Sequence, residues 1–296
     1  MQLLPDQRLG DEDGENNIWY LGYGSNMNSE TFRSHRGIAP LKEMPVRVPG
    51  WVLTFDIYGV PYQEPAFSSI TPVTPAGTLA EYAPGNAPPP VHGTAYLLTK
   101  EDYISVIGSE GGGIAYDEVE VLAEPVSPDL GGTVTEARNG GVVSNRTDSA
   151  LFKVMTLTRA YGPTVPRSPS KRYMELILDG AQEAHLPRAY RSYLCTIPTY
   201  QAPKTVWRMI GAALFLTVWI PIMTAVEKIT TATANSDGKG NCPAWVKALV
   251  RLILIAMWFH HDFVHSRFWG RGDGLDEDGR EIEEDLEKMT GAIYLD

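Results

Sequence analysis

The chain has 296 residues but only two cysteines, Cys195 and Cys242. So few exclude a disulfide framework and fit a reducing compartment. Positive charge is also short: 25 basic residues face 36 acidic ones, a net charge of −11. A general nucleic-acid binder is excluded on that balance. The opening run MQLLPDQRLGDEDGENN has no basic n-region and no long apolar core, so no secretory leader is read there and the expected location is cytoplasmic. The formal sequon Asn145-Arg146-Thr147 is then a chance match. There is no internal repeat, no heptad array and no His-Glu-x-x-His spacing. His260, His261, Asp262 and His265 lack a further ligand cluster, so they read as an amphipathic helix end. Asp276-Glu277-Asp278-Gly279 fails as a calcium loop, because aligning Gly279 with the invariant glycine puts Gly274 first and Asp285 last.

What is present describes a folded globular protein: 43% hydrophobic, 21% charged and 10% aromatic residues exclude a mainly disordered chain. The acidity sits in two tails. Residues 1–17 carry net −4 and residues 271–296 net −7, which leaves 18–270 neutral. The expected organisation is an acidic lead over 1–17, a catalytic domain over 18–203, a hydrophobic helical extension over 204–270 and an acidic tail over 271–296.

Strands are expected at Ile18–Tyr23, at 46–58 as a pair turning at Pro49-Gly50, at Val91–Leu98, at Tyr116–Val121 and at 150–158. The Pro- and Gly-rich stretch 59–90 has few helix formers, Asn86 to Pro90 is a loop, and 123–149 reads as a surface insertion. Ser29 is placed to cap a short helix, Thr99 a helix running to about Gly108, and Ser170 a helix whose Tyr173, Leu176, Ile177 and Gly180 share a face. Another helix follows Pro187 and includes Tyr190, Tyr193 and Leu194.

Two short elements can carry chemistry. In Tyr23-Gly24-Ser25-Asn26, glycine permits close backbone approach while Ser and Asn add small hydrogen-bonding groups. Such a turn can hold a carboxylate or a developing oxyanion, or it can be a plain strand-to-helix connector. Glu110, before Gly111-Gly112-Gly113, is not needed for folding. In a partly buried cleft a carboxyl there can shuttle protons; otherwise it is a solvated loop residue beside a hinge.

With their surroundings these elements resemble the γ-glutamylcyclotransferase family. One signature is Tyr20-Leu21-Gly22-Tyr23-Gly24-Ser25-Asn26-Met27. A second is Ile107-Gly108-Ser109-Glu110-Gly111, then Tyr116-Asp117-Glu118-Val119. A third runs Ser168-Pro169-Ser170-Lys171-Arg172-Tyr173, then Gly180-Ala181-Gln182-Glu183 and Leu186-Pro187-Arg188-Ala189-Tyr190. The resemblance covers about residues 18–200 and implies an α+β protein, a mixed barrel with a mainly helical C-terminal extension. It implies a lyase that cleaves γ-glutamyl peptides, glutathione or glutathione conjugates by self-cyclisation, releasing 5-oxoproline and a free amine or peptide. On it, Glu110 is the acid/base, Tyr23, Gly24, Ser25 and Asn26 bind the γ-glutamyl end, and Tyr116 and Tyr161 match tyrosines near the site. The chemistry requires no metal, nucleotide or redox cofactor. Long fungal members exist, some of them serving secondary metabolism. The competing class is a non-catalytic binding protein that keeps the fold, and the presence of Glu110 in its motif favours the enzyme.

The extension has no counterpart in the compact family fold and is expected to stand outside the catalytic machinery. Its run Met209–Val226 has no charge over eighteen residues. A helix of that length spans about 27 Å, close to a bilayer core of about 30 Å. Pro221 and Trp219 interrupt it. The two readings are membrane association through 209–226 and a hairpin with 244–259 packed on the catalytic domain. Oligomeric state is not encoded in any feature of the sequence.

Overall fold

β1 (Ile18–Gly22) sets the architecture, because its alternate side chains serve different cores. Trp19 and Leu21, with Tyr23 beyond the strand, join a core with β2 (Lys42–Val48) and the later helices. Ile18 and Tyr20 face a second core that contains Phe32, Tyr96, Tyr103 and Ile107. β1 pairs antiparallel with β5 (Val91–Leu98), and β5 pairs antiparallel with β2. β2 meets β6 (Tyr116–Pro125), β6 pairs with β7 (Phe152–Arg159), and β7 runs parallel to β1 at Tyr20↔Met155. The five strands close a mixed barrel in the order β1-β5-β2-β6-β7. The computed structural model describes residues 17–73, 88–127, 151–161 and 167–275. The acidic lead to residue 16, Asn86 and Ala87, the sequon Asn145–Thr147 with the rest of 128–149, and the tail from Asp276 onward lie outside the described residues.

The expected strand pair over 46–58 is corrected. The chain does turn at Pro49-Gly50, but β2 stays in the barrel while β3 (Trp51–Val60) pairs with β4 (Glu64–Pro72) in a separate ribbon. β4 falls in the stretch 59–90, where no strand was expected. Pro65 and Pro72 and the Ser68-Ser69 pair hide its alternation. Both serines are buried and make the fastening: Ser69 Oγ accepts from Arg159 N–H at 2.9 Å, and Tyr116 donates to Ser68 O at 3.0 Å. Thr158 Oγ1 also donates to Ile70 O at 2.8 Å, so the ribbon lies over the end of β7.

The helices follow their caps. Thr99 Oγ1 accepts from Asp102 N–H at the start of α1 (Lys100–Ser109), and Ser170 Oγ accepts from Tyr173 N–H at the start of α2 (Lys171–Glu183). The buried face of α2 holds Tyr173, Met174, Ile177, Gly180 and Ala181; Leu176 is only half-buried. α3 (Arg188–Cys195) buries Tyr190 and Leu194. The short helix at Glu30–His35 is a π-type turn, and Asn28 caps it instead of Ser29: Asn28 Oδ1 accepts from Thr31 N–H at 2.9 Å, while Ser29 N–H donates to Glu183 Oε2 at 2.8 Å.

The C-terminal region is α4 (Val206–Thr233), α5 (Ala244–His260), a π-type turn over His261–His265 and α6 (Ser266–Trp269). α5 is held to the barrel side along its length. Arg251 donates to Ile114 O and Gly113 O, at 2.8 and 3.1 Å, and Trp258 Nε1 donates to Gly59 O at 3.1 Å. By length and composition, Val206–Thr233 and Ala244–Trp269 could each cross a membrane, and only 22% and 33% of their most apolar windows are buried within the protein. The outward side displays Trp207, Ile210, Leu214, Val218, Leu252 and Phe259, among others. Pro221 lies within α4 without ending it.

The histidine cluster departs from the expected surface helix end: His261 and His265 are buried. The reason is a set of partners contributed by distant segments. His261 Nε2 accepts from Gly272 N–H at 3.0 Å and Nδ1 bonds Asp262 Oδ1 at 2.8 Å, which fixes a neutral tautomer with the proton on Nδ1. His265 Nε2 bonds Gly211 O at 3.0 Å. His261, Asp262 and Asp273 offer three ligand atoms within 4.8 Å of one another. Arg167 and Arg271 each bond both carboxylates, so organic cations already occupy that position.

Burial alone would raise the Asp262 carboxyl, but the His261 hydrogen bond and the Arg167 charge overcome it and hold the group down to about 2. The unfolded chain titrates it near the ordinary value, about 3.9. The folded state therefore gains stability from Asp262 above about pH 4 and loses it as pH falls toward about 2. Denaturant midpoints measured across that window should drop in the wild type and drop less in Asp262→Asn. Parallel curves for the two proteins would remove Asp262 from the acid response.

Candidate active site

β1 ends at Gly22, and the chain turns through Tyr23 and Gly24 into a 3-10 turn at Ser25–Met27. The turn is tight because β4 crosses it: a Cβ on Gly24 would lie 2.3 Å from Ser68 Oγ. Ser68 is fixed in turn by Tyr173, whose hydroxyl lies 2.8 Å from Ser68 Oγ and accepts from Ser68 N–H at 3.2 Å. Tyr23 donates to Leu157 O at 2.6 Å. Asn26 is buried, with its backbone carbonyl accepting from Tyr96 at 3.0 Å. Its Nδ2 donates to Tyr20 Oη and to Glu110 Oε1, both at 2.8 Å. That leaves Oδ1 as a buried acceptor without a partner among the described residues.

Glu110 caps the end of α1, with its N–H donating to Val106 O at 3.0 Å. Arg36 approaches the same Oε1 at 2.7 Å, and each of the two side chains is 16% exposed. Arg36 also donates to Ser109 Oγ, so one guanidinium orients the helix end and the carboxylate together. Burial, and less strongly the charge of Glu110, push up the phenols of Tyr20, Tyr23, Tyr116 and Tyr173, which keeps them neutral O–H groups at ordinary pH.

The three glycines after Glu110 are not a free hinge. Gly112 and Gly113 have φ of +56° and +74°, and the turn between α4 and α5 leaves no room for a side chain on either. A Cβ on Gly112 would meet Cys242 Sγ at 2.6 Å, and one on Gly113 would meet Asn241 Oδ1 at 2.4 Å. Cys242 N–H donates to Gly112 O at 2.9 Å. The turn between α4 and α5 thus packs on the segment that carries Glu110.

Two cavities share Glu110, Tyr116 and Leu157 as a common wall. One is bounded by Tyr20, the Tyr23–Asn26 turn, Ser68 and Tyr173. The other is bounded by Ile107, Gly113, Asp117, Glu118 and Asn241. Of the residues expected at the site, Tyr23, Gly24, Ser25, Asn26, Glu110 and Tyr116 come together here. Tyr161 does not: it lies past the end of β7, where its ring packs at 4.8 Å from the Arg251 guanidinium in the core shared with α5. The site also includes residues that sequence reasoning missed. Tyr20 and Tyr173 stood within recognised signatures, whereas Ser68, Arg36, Leu157 and Asn241 carried no signal.

The signature of the AclK C-terminal domain matches residues 205–268. The chain is similar to the γ-glutamyl cyclotransferase aclK of Aspergillus oryzae, at 42% identity over 89% of this chain and 92% of that one. It is also similar to the γ-glutamyl cyclotransferase gliK of Aspergillus fumigatus, at 35% identity over 89% and 92% of the two chains. Among solved structures, a γ-glutamyl cyclotransferase matches at 17% identity with a TM-score of 0.45, over 64% of this chain and 93% of that one.

Gly24→Ala should destabilise the protein by roughly 1–3 kcal/mol, as overpacking does. The added methyl meets Ser68 Oγ, whereas Ser68 Cβ stands 3.5 Å away, an ordinary contact. Gly24→Ala combined with Ser68→Ala should therefore cost less than the two single changes added together. Denaturant unfolding of all four proteins reads the coupling, and simple additivity would refute Ser68 as the constraint on the turn.

Proposed function

The chain belongs to the γ-glutamyl cyclotransferase family, and on that premise we propose that it converts γ-glutamyl peptides or glutathione conjugates to 5-oxoproline and a free amine or peptide. The observation that carries this reading is the partly buried Asn26–Glu110–Arg36 group at the junction of the two cavities. The substrate holds nucleophile and electrophile in one molecule. Its α-nitrogen attacks its own γ-carbonyl, a C–N bond forms to close a five-membered ring, and the γ-carbon to amide-nitrogen bond then breaks. The protein's tasks are to hold the reactive conformer and to move one proton.

In this reading the Tyr23–Asn26 turn holds the γ-glutamyl end, and Asn26 Oδ1 is the acceptor that its α-ammonium needs. Glu110 takes a proton from the α-nitrogen and returns one to the leaving nitrogen. Arg36 and Asn26 both bond Oε1, which leaves Oε2 to face the reacting atoms. Tyr116 lines both cavities at the scissile bond. Substrates of this class include glutathione adducts of secondary metabolites. The reading places the enzyme in the cytoplasm, with the outward apolar side of α4 and α5 as the surface that meets a membrane.

Glu110→Gln keeps the shape and an acceptor for Asn26 but cannot carry the proton. Release of 5-oxoproline from glutathione should fall by at least ~10²-fold in kcat, with the melting temperature and substrate binding retained. A variant that keeps more than about a tenth of the wild-type kcat, against that expected loss, would show that Glu110 is not the acid/base. A wild-type protein that releases no 5-oxoproline from any γ-glutamyl compound would overturn the whole reading.

A further inference from the structure

We propose that the turn between α4 and α5 forms the wall that holds the amine side of the substrate, with Asn241 as a specificity-determining residue for leaving groups that contain a peptide bond. The inference rests on the cyclotransferase reading, since it uses Glu110 as the point through which the proton passes.

The direction of the substrate follows from that point. The α-nitrogen and the leaving nitrogen are both bonded to one γ-carbon in the tetrahedral intermediate, and Glu110 must reach each in turn. With the γ-glutamyl end against the Tyr23–Asn26 turn, the leaving group departs across Glu110 and Tyr116. The second cavity lies there, sharing those residues with the first. Its remaining wall comes from the barrel at Ile107, Gly113, Asp117 and Glu118, and from the extension at Asn241.

Asn241 is held for recognition. Its Oδ1 accepts from Lys247 Nζ at 3.1 Å and its Nδ2 donates to Asp237 Oδ2 at 3.1 Å. A carboxamide with those two bonds has one N–H and one acceptor site still to offer, the complement of a peptide group. Lys247 Nζ stands against Gly113 and donates to Asn241, so this end of the wall also carries a positive charge. The backbone under Asn241 is fixed separately, because Asn241 N–H donates to Asp237 Oδ1 at 3.0 Å and Cys242 N–H donates to Gly112 O at 2.9 Å. Removing the side-chain amide therefore leaves the turn docked.

Glutathione and γ-glutamylcysteine separate the possibilities, since only the first has a peptide bond beyond the scissile amide. For full-length Asn241→Ala, kcat/KM for glutathione should fall about 5- to 10-fold, the worth of one or two hydrogen bonds, while γ-glutamylcysteine turns over as in the wild type. Asn241→Ser, which loses the carboxamide without placing a second carboxylate beside Asp237, should shift the ratio the same way, and it serves if the alanine variant melts early. An equal loss for both substrates would make Asn241 a support for the Glu110 segment only. No loss for either would take it out of the site. Each of these two results overturns the proposal while leaving the cyclotransferase reading in place. A wild-type protein inactive on both substrates would overturn both.

Discussion

The bond from Asn26 Nδ2 to Glu110 Oε1 joins positions 84 residues apart, and the rest of the site depends on it. One partner hangs from the turn after β1, the other from the end of α1. The barrel brings those two side chains within 2.8 Å. β1 and β5 pair in register from Ile18↔Leu98 to Gly22↔Thr94, which sets the turn at one end of the strand and α1 just beyond the other. The antiparallel α1 then returns along the barrel to deliver Glu110 at the turn. Tyr20, Phe32 and Tyr96 fill the space between them, with Phe32 and Tyr96 stacked at 4.4 Å. A buried carboxylate is tolerated there because Arg36 meets its charge and Asn26 donates to it.

Much of this was legible where the information is local. Thr99 and Ser170 mark helix starts because a hydroxyl three residues ahead of a backbone N–H is a cap wherever it occurs. The Tyr23–Asn26 turn stood out because its glycine permits close backbone approach and its Ser and Asn can hydrogen-bond, and Glu110 because a carboxylate there is not needed for folding. The rest was set by partners far away in the chain. β4 escaped notice because Ser68 and Ser69 are buried for hydrogen bonds to Tyr173, Tyr116 and Arg159, none of which is a neighbour in sequence. Arg36 looks like any surface arginine until α1 is placed beside it. His261 and His265 read as exposed because Gly272 and Gly211, which satisfy them, offer only backbone atoms. Tyr161 was carried to the site by family likeness, and the end of β7 turns it to the α5 side instead.

The same lesson applies to Gly111-Gly112-Gly113. Beside a candidate catalytic carboxylate, three glycines suggest motion. The structure gives two of them a static reason: a Cβ on Gly112 would meet Cys242, one on Gly113 would meet the side chains of Asn241 and Lys247, and both residues sit at positive φ. The apolar helices of the extension were legible as helices, but their contact with the Glu110 segment was not, because it is made by the polar turn between them.

That contact has a consequence for the order in which the protein is made. The barrel strands are complete once Arg159 has been synthesised, and domains generally fold as the chain emerges. The turn that clasps Gly112 and Gly113 lies some eighty residues further on, and Arg251, which anchors Gly113 and Ile114 from α5, comes later still. In a nascent chain the barrel strands are thus all present before the residues that clasp Gly112 and Gly113 have been made.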